Sequence, residues 1–268
     1  MNKVKVVFLG GRPLGMHSIN LLEKMNNIEI VGCVTKEPSK NAWWNQDPHE
    51  YVVKKYPVVT LEDLERMEFD FGISINYWKI IPSSIINKPK LGFINLHHSY
   101  NLSYKGRDMT THVIRCSRKR KQLYHGTTLH YTDDGLDTGP VIASSSCEIL
   151  ESDTAWTLFN KVEKLGEKLL DYWLSKLILS KAPTMKPEHN DDLNFRKNLI
   201  REIDKDLSPI EIYDFVRSLD FNNLFEPAFV VINGEKFYLT ISKEFGKNVY
   251  MEIDSHKNIY FNTEYTME

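Results

Sequence analysis

An amide, an imidazole and a carboxylate lie along the middle of this chain in a setting that could support chemistry. Asn95 and His97 end an apolar segment, and Asp137 follows forty residues after His97 in a loop that contains Gly135 and Gly139. An amide can donate to a developing oxyanion, an imidazole can move a proton, and a carboxylate can hold that imidazole in one tautomer. These three groups are what acyl transfer to an amine requires.

The predicted secondary structure brings the first two of these side chains to the same face. A buried strand is predicted from Gly92 to Leu96, and alternate side chains of a strand point to the same side of a sheet. A second strand pattern at Thr127–Tyr131 precedes the loop that carries Asp137. Polar residues at the end of a buried strand, beside a loop, are where open α/β sheets place their active sites. We therefore expect one catalytic site at this strand end.

The sequence around these residues resembles the signature of the 10-formyltetrahydrofolate-dependent formyltransferases. Phe93–Ser99 reads FINLHHS, and Gly106 follows nine residues after His97. The segments Gly126–Tyr131 and Asp137–Ile142 then come in the order and at the spacing of that family. The resemblance covers about residues 1 to 180 and is specific, because two separate motifs agree with it.

The resemblance implies that Asn95, His97 and Asp137 are the catalytic set. It implies direct transfer, in which an amine attacks the formyl carbon, Asn95 and His97 donate to the tetrahedral oxyanion, and Asp137 polarises His97. No metal and no covalent enzyme intermediate are needed. The chain has His98 and Leu102 where the family usually has proline, so the resemblance does not fix the conformation of this loop.

Two further segments correspond, by their position in the family pattern, to walls of the pocket for 10-formyltetrahydrofolate. The first lies at a fixed offset before Asn95, and the second is the acidic loop before Asp137. A pterin presents an amide-like edge, so main-chain groups can pair with it while isoleucines cover its face. From the residues alone, these isoleucines are equally ordinary core residues. The residues expected to bind this co-substrate are Lys79, Ile80, Ile81, Asp133, Asp134, Gly135 and Leu136.

Candidate contacts to the acceptor substrate come from three other places. The turn Gly10–Gly15 follows the first predicted strand, but its glycine spacing and Pro13 do not fit a dinucleotide-binding fingerprint. Main-chain amides at the start of a helix suit anions, and the resemblance implies that this turn faces the phosphates of the acceptor. The second place is the basic segment after the catalytic strand, which could equally be a surface turn. The third is the group of aromatic residues near the C-terminus, which could equally form a dimer contact. The residues expected to bind the acceptor are Gly11, Arg12, Lys105, Arg107, Phe221 and Phe225.

The composition limits the class of protein. With 268 residues, 41% of them hydrophobic, the chain can bury a full α/β core. The formal charge of −2 argues against nucleic acid as a partner, and the basic run Arg118–Lys121 is typical of a solvated helix end or loop. Three cysteines without disulfide or metal spacing fit a reducing compartment, and no segment predicts a signal peptide or a membrane span. We therefore expect a cytoplasmic protein with no membrane partner.

Hydrophobic patterning predicts an α/β fold, namely an open doubly wound (Rossmann-like), mostly parallel sheet with a small C-terminal helix plus β-hairpin subdomain. Predicted strands at Val4–Leu9 and Ile28–Thr35, with a helix at Met16–Met25 between them, form the opening βαβ unit. An N-cap signal at Ser152–Thr154 begins a long amphipathic helix that ends near Leu179.

A polar stretch divides the chain into a catalytic domain at residues 1–182, a linker at 183–208 and a small α+β subdomain at 209–268. Asn233–Gly234 between two apolar runs predicts a two-residue hairpin turn. A further turn is predicted near Ser255–Asn258.

The length and charge of the C-terminal tail indicate the acceptor class, because the families that the chain resembles differ mainly after the catalytic domain. A tail of about 80 residues is too long for a glycinamide ribonucleotide formyltransferase. It is too short for a methionyl-tRNA formyltransferase, which also needs a basic surface for tRNA, whereas this chain is slightly acidic. Formyltetrahydrofolate hydrolases carry an extra domain before the catalytic one. The resemblance therefore implies a homodimeric N-formyltransferase for a nucleotide-linked, dTDP-bound amino-deoxysugar, used for surface polysaccharide such as the lipopolysaccharide O-antigen.

Three other functions stay open on the sequence. A methionyl-tRNA formyltransferase-like enzyme is the nearest, and a non-catalytic module that binds a nucleotide sugar or folate belongs to another class. The histidines between His97 and His130, with Asp133, Asp134 and Asp137, suggest a metal hydrolase, but their spacing fits no helical metal-binding pair.

Overall fold

The computed structural model describes residues 2–40, 42–45, 47–188, 193–194, 199–204, 206–241, 249–253 and 257–261, with backbone alone at 193–194, 249–253 and 257–261. The chain divides into two compact units, each of which combines separate segments. The first unit contains Met1–Lys105, Gly126–Ser146 and Val162–Asp192. The second unit contains Gly106–His125, Cys147–Lys161 and Leu193–Glu268.

Strands and helices alternate through the first half of the chain, and strands predominate at its end. The strands are β1 (Val4–Gly10), β2 (Ile28–Val34), β3 (Phe71–Ile75), β4 (Phe93–His97), β5 (Lys105–Gly106), β6 (Tyr124–Tyr131), β7 (Val141–Glu148), β8 (Leu193–Asn194), β9 (Ala228–Ile232), β10 (Glu235–Ile241), β11 (Val249–Ile253) and β12 (Lys257–Phe261). The helices are α1 (Arg12–Glu23), α2 (Pro48–Lys55), α3 (Leu61–Arg66), α4 (Ser83–Ile86), α5 (Met109–Arg120), α6 (Ala155–Leu179) and α7 (Pro209–Leu219).

A six-stranded sheet in the order β2-β1-β3-β4-β6-β7 forms the centre of the first unit. Strands β1 to β4 pair in parallel, and β6 runs antiparallel to β4. Apolar clusters cover it, one including Val6 and Phe8 and the other including Val7 and Leu9, as expected for a strand buried on both faces. The predicted doubly wound, mostly parallel α/β sheet and its opening βαβ unit are confirmed.

Because the order of the sheet reverses between β1 and β3, a crevice is expected at the carboxyl ends of these two strands. The chain leaves β1 toward β2 on one side and leaves β3 toward β4 on the other side. Open α/β sheets bind ligands at such a reversal point, just outside the carboxyl ends of the strands. The end of β4, which carries Asn95 and His97, lies next to this crevice on the β3 side.

Two helices were not predicted from the pattern, and one begins earlier than predicted. Helix α1 starts at Arg12 rather than Met16, because Pro13 fits the first turn of a helix. The two helices that were not predicted are α2 and α5. Helix α2 begins after Asp47, whose side chain accepts a hydrogen bond from the backbone of His49. The basic run at 118–121 forms the last turn of α5 and its C-cap, as one of the two predicted alternatives, but Arg118 is not simply solvated because it pairs with Glu151 and Asp214.

The long helix α6 begins and ends where the capping signal predicts. The Thr154 hydroxyl accepts a hydrogen bond from the backbone nitrogen of Thr157 at 3.3 Å, and the helix ends at Leu179. No helix in the part of the chain that the structure describes is both long and apolar enough to cross a membrane.

The second unit contains α7 and a four-stranded sheet in the order β12-β11-β10-β9. Ile232 pairs with Glu235, so Asn233 and Gly234 form a two-residue turn with φ values of 52° and 85°. This confirms the predicted hairpin, since a type I′ turn needs positive φ at both positions. The strands form four-stranded antiparallel pairing rather than a single hairpin, and the predicted turn near Ser255 lies outside the described residues.

The compact units differ from the predicted domain boundaries at 182 and 208. The second unit includes residues 106–125 and 147–161, which the pattern assigns to the catalytic domain. The reason is visible in its ion pairs, because Arg118 at the end of α5 binds Asp214 on α7 at 2.8 Å. A contact between side chains almost a hundred residues apart leaves no local signal in the sequence.

Candidate active site

Strand β4 positions the two central side chains of the site. It lies between β3 and β6, and in the antiparallel pairing Asn95 faces His130 while His97 faces Thr128. Asn95 Nδ2 lies 3.2 Å from His130 Nε2, so the two side chains form a cross-strand hydrogen bond. The structure thus places His130 in direct contact with the amide of Asn95.

The His97 ring is buried between two acceptors. Its Nε2 lies 3.0 Å from the backbone carbonyl oxygen of Tyr104 and 3.6 Å from Asp137 Oδ2. The shorter contact is a hydrogen bond, in which Nε2–H donates to the carbonyl. Asp137 acts on His97 through its charge at this distance, and Tyr104 is a partner that the sequence did not predict.

The loop after β6 fixes the position of Asp137. Asp133 Oδ1 accepts hydrogen bonds from the backbone of Gly135 at 3.1 Å and from the Thr138 hydroxyl at 2.6 Å, which closes the loop across its base. Asp137 itself has a φ of 51°, in the left-handed region that few non-glycine residues adopt. Such a conformation is held by the surrounding hydrogen bonds and is typical of functional sites.

His130 is held in one neutral tautomer. Burial lowers the pKa of its imidazole to about 4, against the opposing effect of the nearby Asp137 carboxylate. A neutral ring carries one N–H, and His130 Nδ1 lies 2.9 Å from the carbonyl oxygen of Tyr131, so that hydrogen sits on Nδ1. Nε2 is then an acceptor, and it takes one N–H of Asn95. This fixes the amide of Asn95 with its nitrogen toward His130 and leaves a second N–H to donate elsewhere.

The loop after β4 is closed by hydroxyl hydrogen bonds. Ser99 Oγ accepts from the backbone of Tyr104 at 2.8 Å, and the Thr128 hydroxyl donates to the Ser99 carbonyl at 2.6 Å. Asn101 and Leu102 have positive φ values of 49° and 56°. Leu102 is one of the positions where the family usually has proline, which a positive φ excludes. Leu102 therefore replaces the usual proline at a position where the backbone conformation could not accept proline.

The neighbouring histidine belongs to a separate contact. His98 Nε2 lies 2.9 Å from Glu163 Oε1 on α6. Since His97 faces Tyr104 and Asp137, the two adjacent histidines have different partners, as alternate strand directions require. In the described residues, no group of three or more His, Cys, Asp or Glu side chains could hold a metal ion.

A comparison with protein families decides the class of this site. The sequence model of the family described as formyl transferase matches residues 6–173, which is more than half of the chain. The chain belongs to the formyl transferase family. The matched region contains β4 and the loop of Asp137, so the site described above lies within the family domain.

Similar proteins include enzymes with two kinds of acceptor. A methionyl-tRNA formyltransferase of Mycoplasma mycoides is 26% identical over 258 residues, covering 90% of this chain and 78% of that protein. A 4-N-formyltransferase from Francisella tularensis is 18% identical with a TM-score of 0.74, covering 89% of this chain and 97% of that one. WlaRD, a sugar 3-N-formyltransferase solved with dTDP and 5-formyl-THF, is 22% identical with a TM-score of 0.73, covering 99% and 100%. These structural likenesses establish the fold.

In this formyl transferase, the two segments predicted to bind the folate expose apolar side chains. Ile80 is 81% exposed and Leu136 is 38% exposed. Lys79, Asp134 and Gly135 are exposed, while Ile81 and Asp133 are half-buried.

The turn after β1 has its first amides already engaged. The Gly11 nitrogen donates to the Ile75 carbonyl at 3.2 Å, and the Arg12 nitrogen donates to Asp47 Oδ2 at 2.9 Å. The Arg12 guanidinium stacks over the Trp44 ring at 5.1 Å. An anion bound here would therefore meet the Arg12 side chain rather than these two backbone amides. The Asp–Pro pair before α2 is the signal from which Asp47 could have been predicted as a cap.

The remaining predicted acceptor contacts are divided between the two units. Lys105 belongs to the first unit, while Arg107, Phe221 and Phe225 belong to the second unit. Phe221 is packed against Phe225, Trp156 and Phe159, with ring centroids 5.2 Å from each. Phe225 is 43% exposed, so it is the more accessible ring of this aromatic cluster.

Proposed function

We propose that this formyl transferase moves the formyl group of 10-formyltetrahydrofolate to the amine of a nucleotide-linked amino-deoxysugar. The arrangement of Asn95, His97 and Asp137 at the end of β4 is the observation that carries the reaction. The fold likeness to WlaRD over 99% of this chain and 100% of that enzyme supports the sugar acceptor. WlaRD was solved with dTDP, so a dTDP-linked sugar is the first acceptor to test.

The chemistry follows from the hydrogen bonds of the site. The neutral amine attacks the formyl carbon, a carbon–nitrogen bond forms, and the carbonyl oxygen becomes an oxyanion. Asn95 has one N–H held by His130, so its second N–H can donate to that oxyanion. His97 supplies a proton-carrying ring whose positive charge, when it forms, is stabilised by Asp137 at 3.6 Å.

The tetrahedral intermediate collapses when the bond between the formyl carbon and N10 of the folate breaks. The amine has lost a proton and N10 gains one, so the reaction needs a proton relay and no external acid or base. His97 is the titratable group that can take part in this relay. The Tyr104 carbonyl holds Nε2–H, and the ring must release that contact or use Nδ1 when it transfers a proton.

The folate would lie between the two segments that expose aliphatic side chains. Ile80 and Leu136 would cover its ring, and backbone groups of Lys79–Ile81 and Asp133–Leu136 would pair with the pterin edge. Arg12 would face the diphosphate of the acceptor, because a guanidinium binds phosphate oxygens well. Lys105, Arg107, Phe221 and Phe225 are further candidates for the acceptor.

Formylation of initiator methionyl-tRNA is the second candidate, since the Mycoplasma mycoides relative has that name. This chain covers 78% of that relative's length. A tRNA substrate demands a basic surface, whereas the formal charge here is −2. The amino-sugar acceptor is therefore favoured.

Mass spectrometry of an acceptor panel tests the proposal. The enzyme is incubated with 10-formyltetrahydrofolate and, separately, dTDP-3-amino and dTDP-4-amino dideoxysugars, UDP-4-amino-arabinose, glycinamide ribonucleotide and charged initiator tRNA. We expect one sugar nucleotide to gain a formyl mass and the Asn95→Ala variant to lose that product. Formylation of the tRNA alone would overturn the sugar assignment. No loss of formyl from the folate with any acceptor would favour a binding module.

A further inference from the structure

Asn76 is the first residue after β3, at the reversal point of the sheet. In the parallel pairings, Ile75 lies beside Gly10 of β1 and beside Leu96 of β4. The backbone nitrogen of Gly11 donates to the Ile75 carbonyl at 3.2 Å, and Asn76 follows Ile75 directly with a φ of 55°. It therefore lies at the crevice between the turn after β1 and the catalytic strand.

The amide of Asn76 has an unusual environment. Its Nδ2 is buried, and no hydrogen-bond partner for it exists among the residues that the structure describes. The residue as a whole is half-buried. A buried donor without an acceptor is costly, so such groups are rare in folded proteins and call for an explanation.

The backbone alone does not explain this side chain. Asn76 has a φ of 55°, in the left-handed region that asparagine and glycine adopt most readily. Glycine would satisfy the same backbone without leaving a buried amide unpaired. The donor therefore points to an acceptor that the protein does not supply.

The position of Asn76 selects the kind of acceptor atom. On the β1 side lies Arg12, whose charge suits phosphate, and three to five residues further along the chain lie Lys79, Ile80 and Ile81, the predicted folate wall. His97 is on the β4 side. The sugar ring has to lie between the phosphates and the formyl group. A neutral amide donor suits a neutral oxygen, which on an amino-deoxysugar is a hydroxyl.

We propose that Asn76 donates a hydrogen bond to the sugar hydroxyl next to the reacting amine and so determines acceptor specificity. This inference rests on the proposed sugar N-formyltransferase function. A site that pairs with a substrate hydroxyl rejects the analogue that lacks it, because its buried polar group is then left unpaired.

Two substitutions separate the side chain from the backbone. Asn76→Gly keeps the left-handed backbone and removes the amide, and Asn76→Asp keeps the size and removes the N–H donor. We expect Asn76→Gly to fold with a Tm close to that of the parent, and kcat/KM for the nucleotide sugar to fall about tenfold or more in both variants. The KM for 10-formyltetrahydrofolate should stay within about twofold. Full activity of Asn76→Gly would overturn the proposal and leave Asn76 a backbone-selected residue.

A pair of acceptors makes the test specific. The amino-sugar nucleotide identified by the panel is compared with its analogue that lacks the hydroxyl next to the amine. The parent should prefer the hydroxylated acceptor by about tenfold or more in kcat/KM, and Asn76→Gly should reduce that preference to nearly one. An equal loss of kcat/KM on both acceptors would mean that Asn76 does not bond to the hydroxyl next to the amine, and it would overturn the proposal. If the parent formylates no sugar at all, the proposed function fails first, so the two failures are distinguishable.

Discussion

Two buried polar clusters of this protein differ in how completely their hydrogen bonds are closed. In the second unit, Asp214 accepts from Arg118 Nε and from Arg217 Nε, each at 2.8 Å. Arg217 also donates to the carbonyls of Leu150 and Asp153, at 3.1 and 2.9 Å. At the catalytic strand, Asp137 lies 3.6 Å from His97.

The comparison shows two uses of buried polar groups. The charges of the Asp214 cluster are paired at hydrogen-bond distance. Removing one partner therefore leaves a buried charge without a counter-charge. The proposed catalytic cluster of Asn76, Asn95, His97, His130 and Asp137 has a longer His97–Asp137 contact of 3.6 Å, a left-handed Asp137 and, at Asn76, a buried donor without an acceptor. The unpaired donor of Asn76 costs stability, which is what a group that pairs only with a substrate would do.

The largest expected effect is on stability, in the closed cluster. Asp214→Asn removes the carboxylate that both arginines share, and Arg217 is only 3% exposed. We expect the free energy of unfolding to fall by about 3–5 kcal/mol, because a buried guanidinium loses its counter-charge. Urea unfolding followed by circular dichroism measures this loss. A loss below about 1 kcal/mol would mean that the cluster is no tighter than an exposed ion pair.

In the catalytic cluster the expected effect is on rate. Asn95→Ala removes the amide that His130 orients, and kcat should fall by about 10²–10³ because one oxyanion donor is lost. Asn160→Ala is the matched control, since it also removes a half-buried amide but one that bonds the Trp156 carbonyl on its own helix. Steady-state kinetics should show near-parent kcat for the control. A near-parent kcat for Asn95→Ala would remove Asn95 from the mechanism.

His130 couples the catalytic cluster to pH. Its pKa is about 4 in the folded protein and about 6.5 in the unfolded chain, so the unfolded chain binds more protons between these values. The stability that neutral His130 contributes is present above about pH 6.5 and is lost as pH falls toward 4, by about 3 kcal/mol in total. His130→Gln should flatten the dependence of unfolding free energy on pH in that window. An unchanged slope in urea titrations at several pH values would contradict the assignment.

The smallest effect is expected at an exposed carboxylate of the second unit. Glu226 lies 3.5 Å from Lys236 Nζ and 3.8 Å from Arg201 Nε, and it is 43% exposed. Glu226→Gln makes the same chemical change as Asp214→Asn but should alter the unfolding free energy by less than about 1 kcal/mol. The two variants measured together in urea isolate the contribution of burial. Equal losses of unfolding free energy in the two variants would show that burial does not determine how much each carboxylate stabilises the protein.

The sequence predicts those parts of the molecule that local patterns encode. Strand β4 is an apolar run that ends in polar residues, and the turn Asn233–Gly234 requires positive φ at both positions, so both were predictable. Helix α5 was missed because polar residues interrupt its buried face, which includes Thr110, Thr111 and Ser117.

Partners that use the main chain could not be predicted. The closest acceptor of His97 is the Tyr104 carbonyl, which any residue at position 104 would provide. The amide of Arg12 is taken by Asp47, thirty-five residues away, and this contact depends on how α1 and α2 pack. The burial of the Asn76 amide likewise depends on β3 lying between β1 and β4 in the sheet. This strand order cannot be predicted from residue types alone.

The contact between Gly10 and Ile75 limits how this enzyme could be redesigned. A Cβ atom at Gly10 would lie 2.0 Å from the Ile75 carbonyl oxygen, which is backbone and cannot move aside. A library that varies residue 10 would therefore return mostly unfolded proteins. Arg12 and Asn76 lie on either side of this contact with φ values of 64° and 55°, so a search for new acceptors should begin there with residues that tolerate a left-handed backbone, such as glycine, asparagine and aspartate.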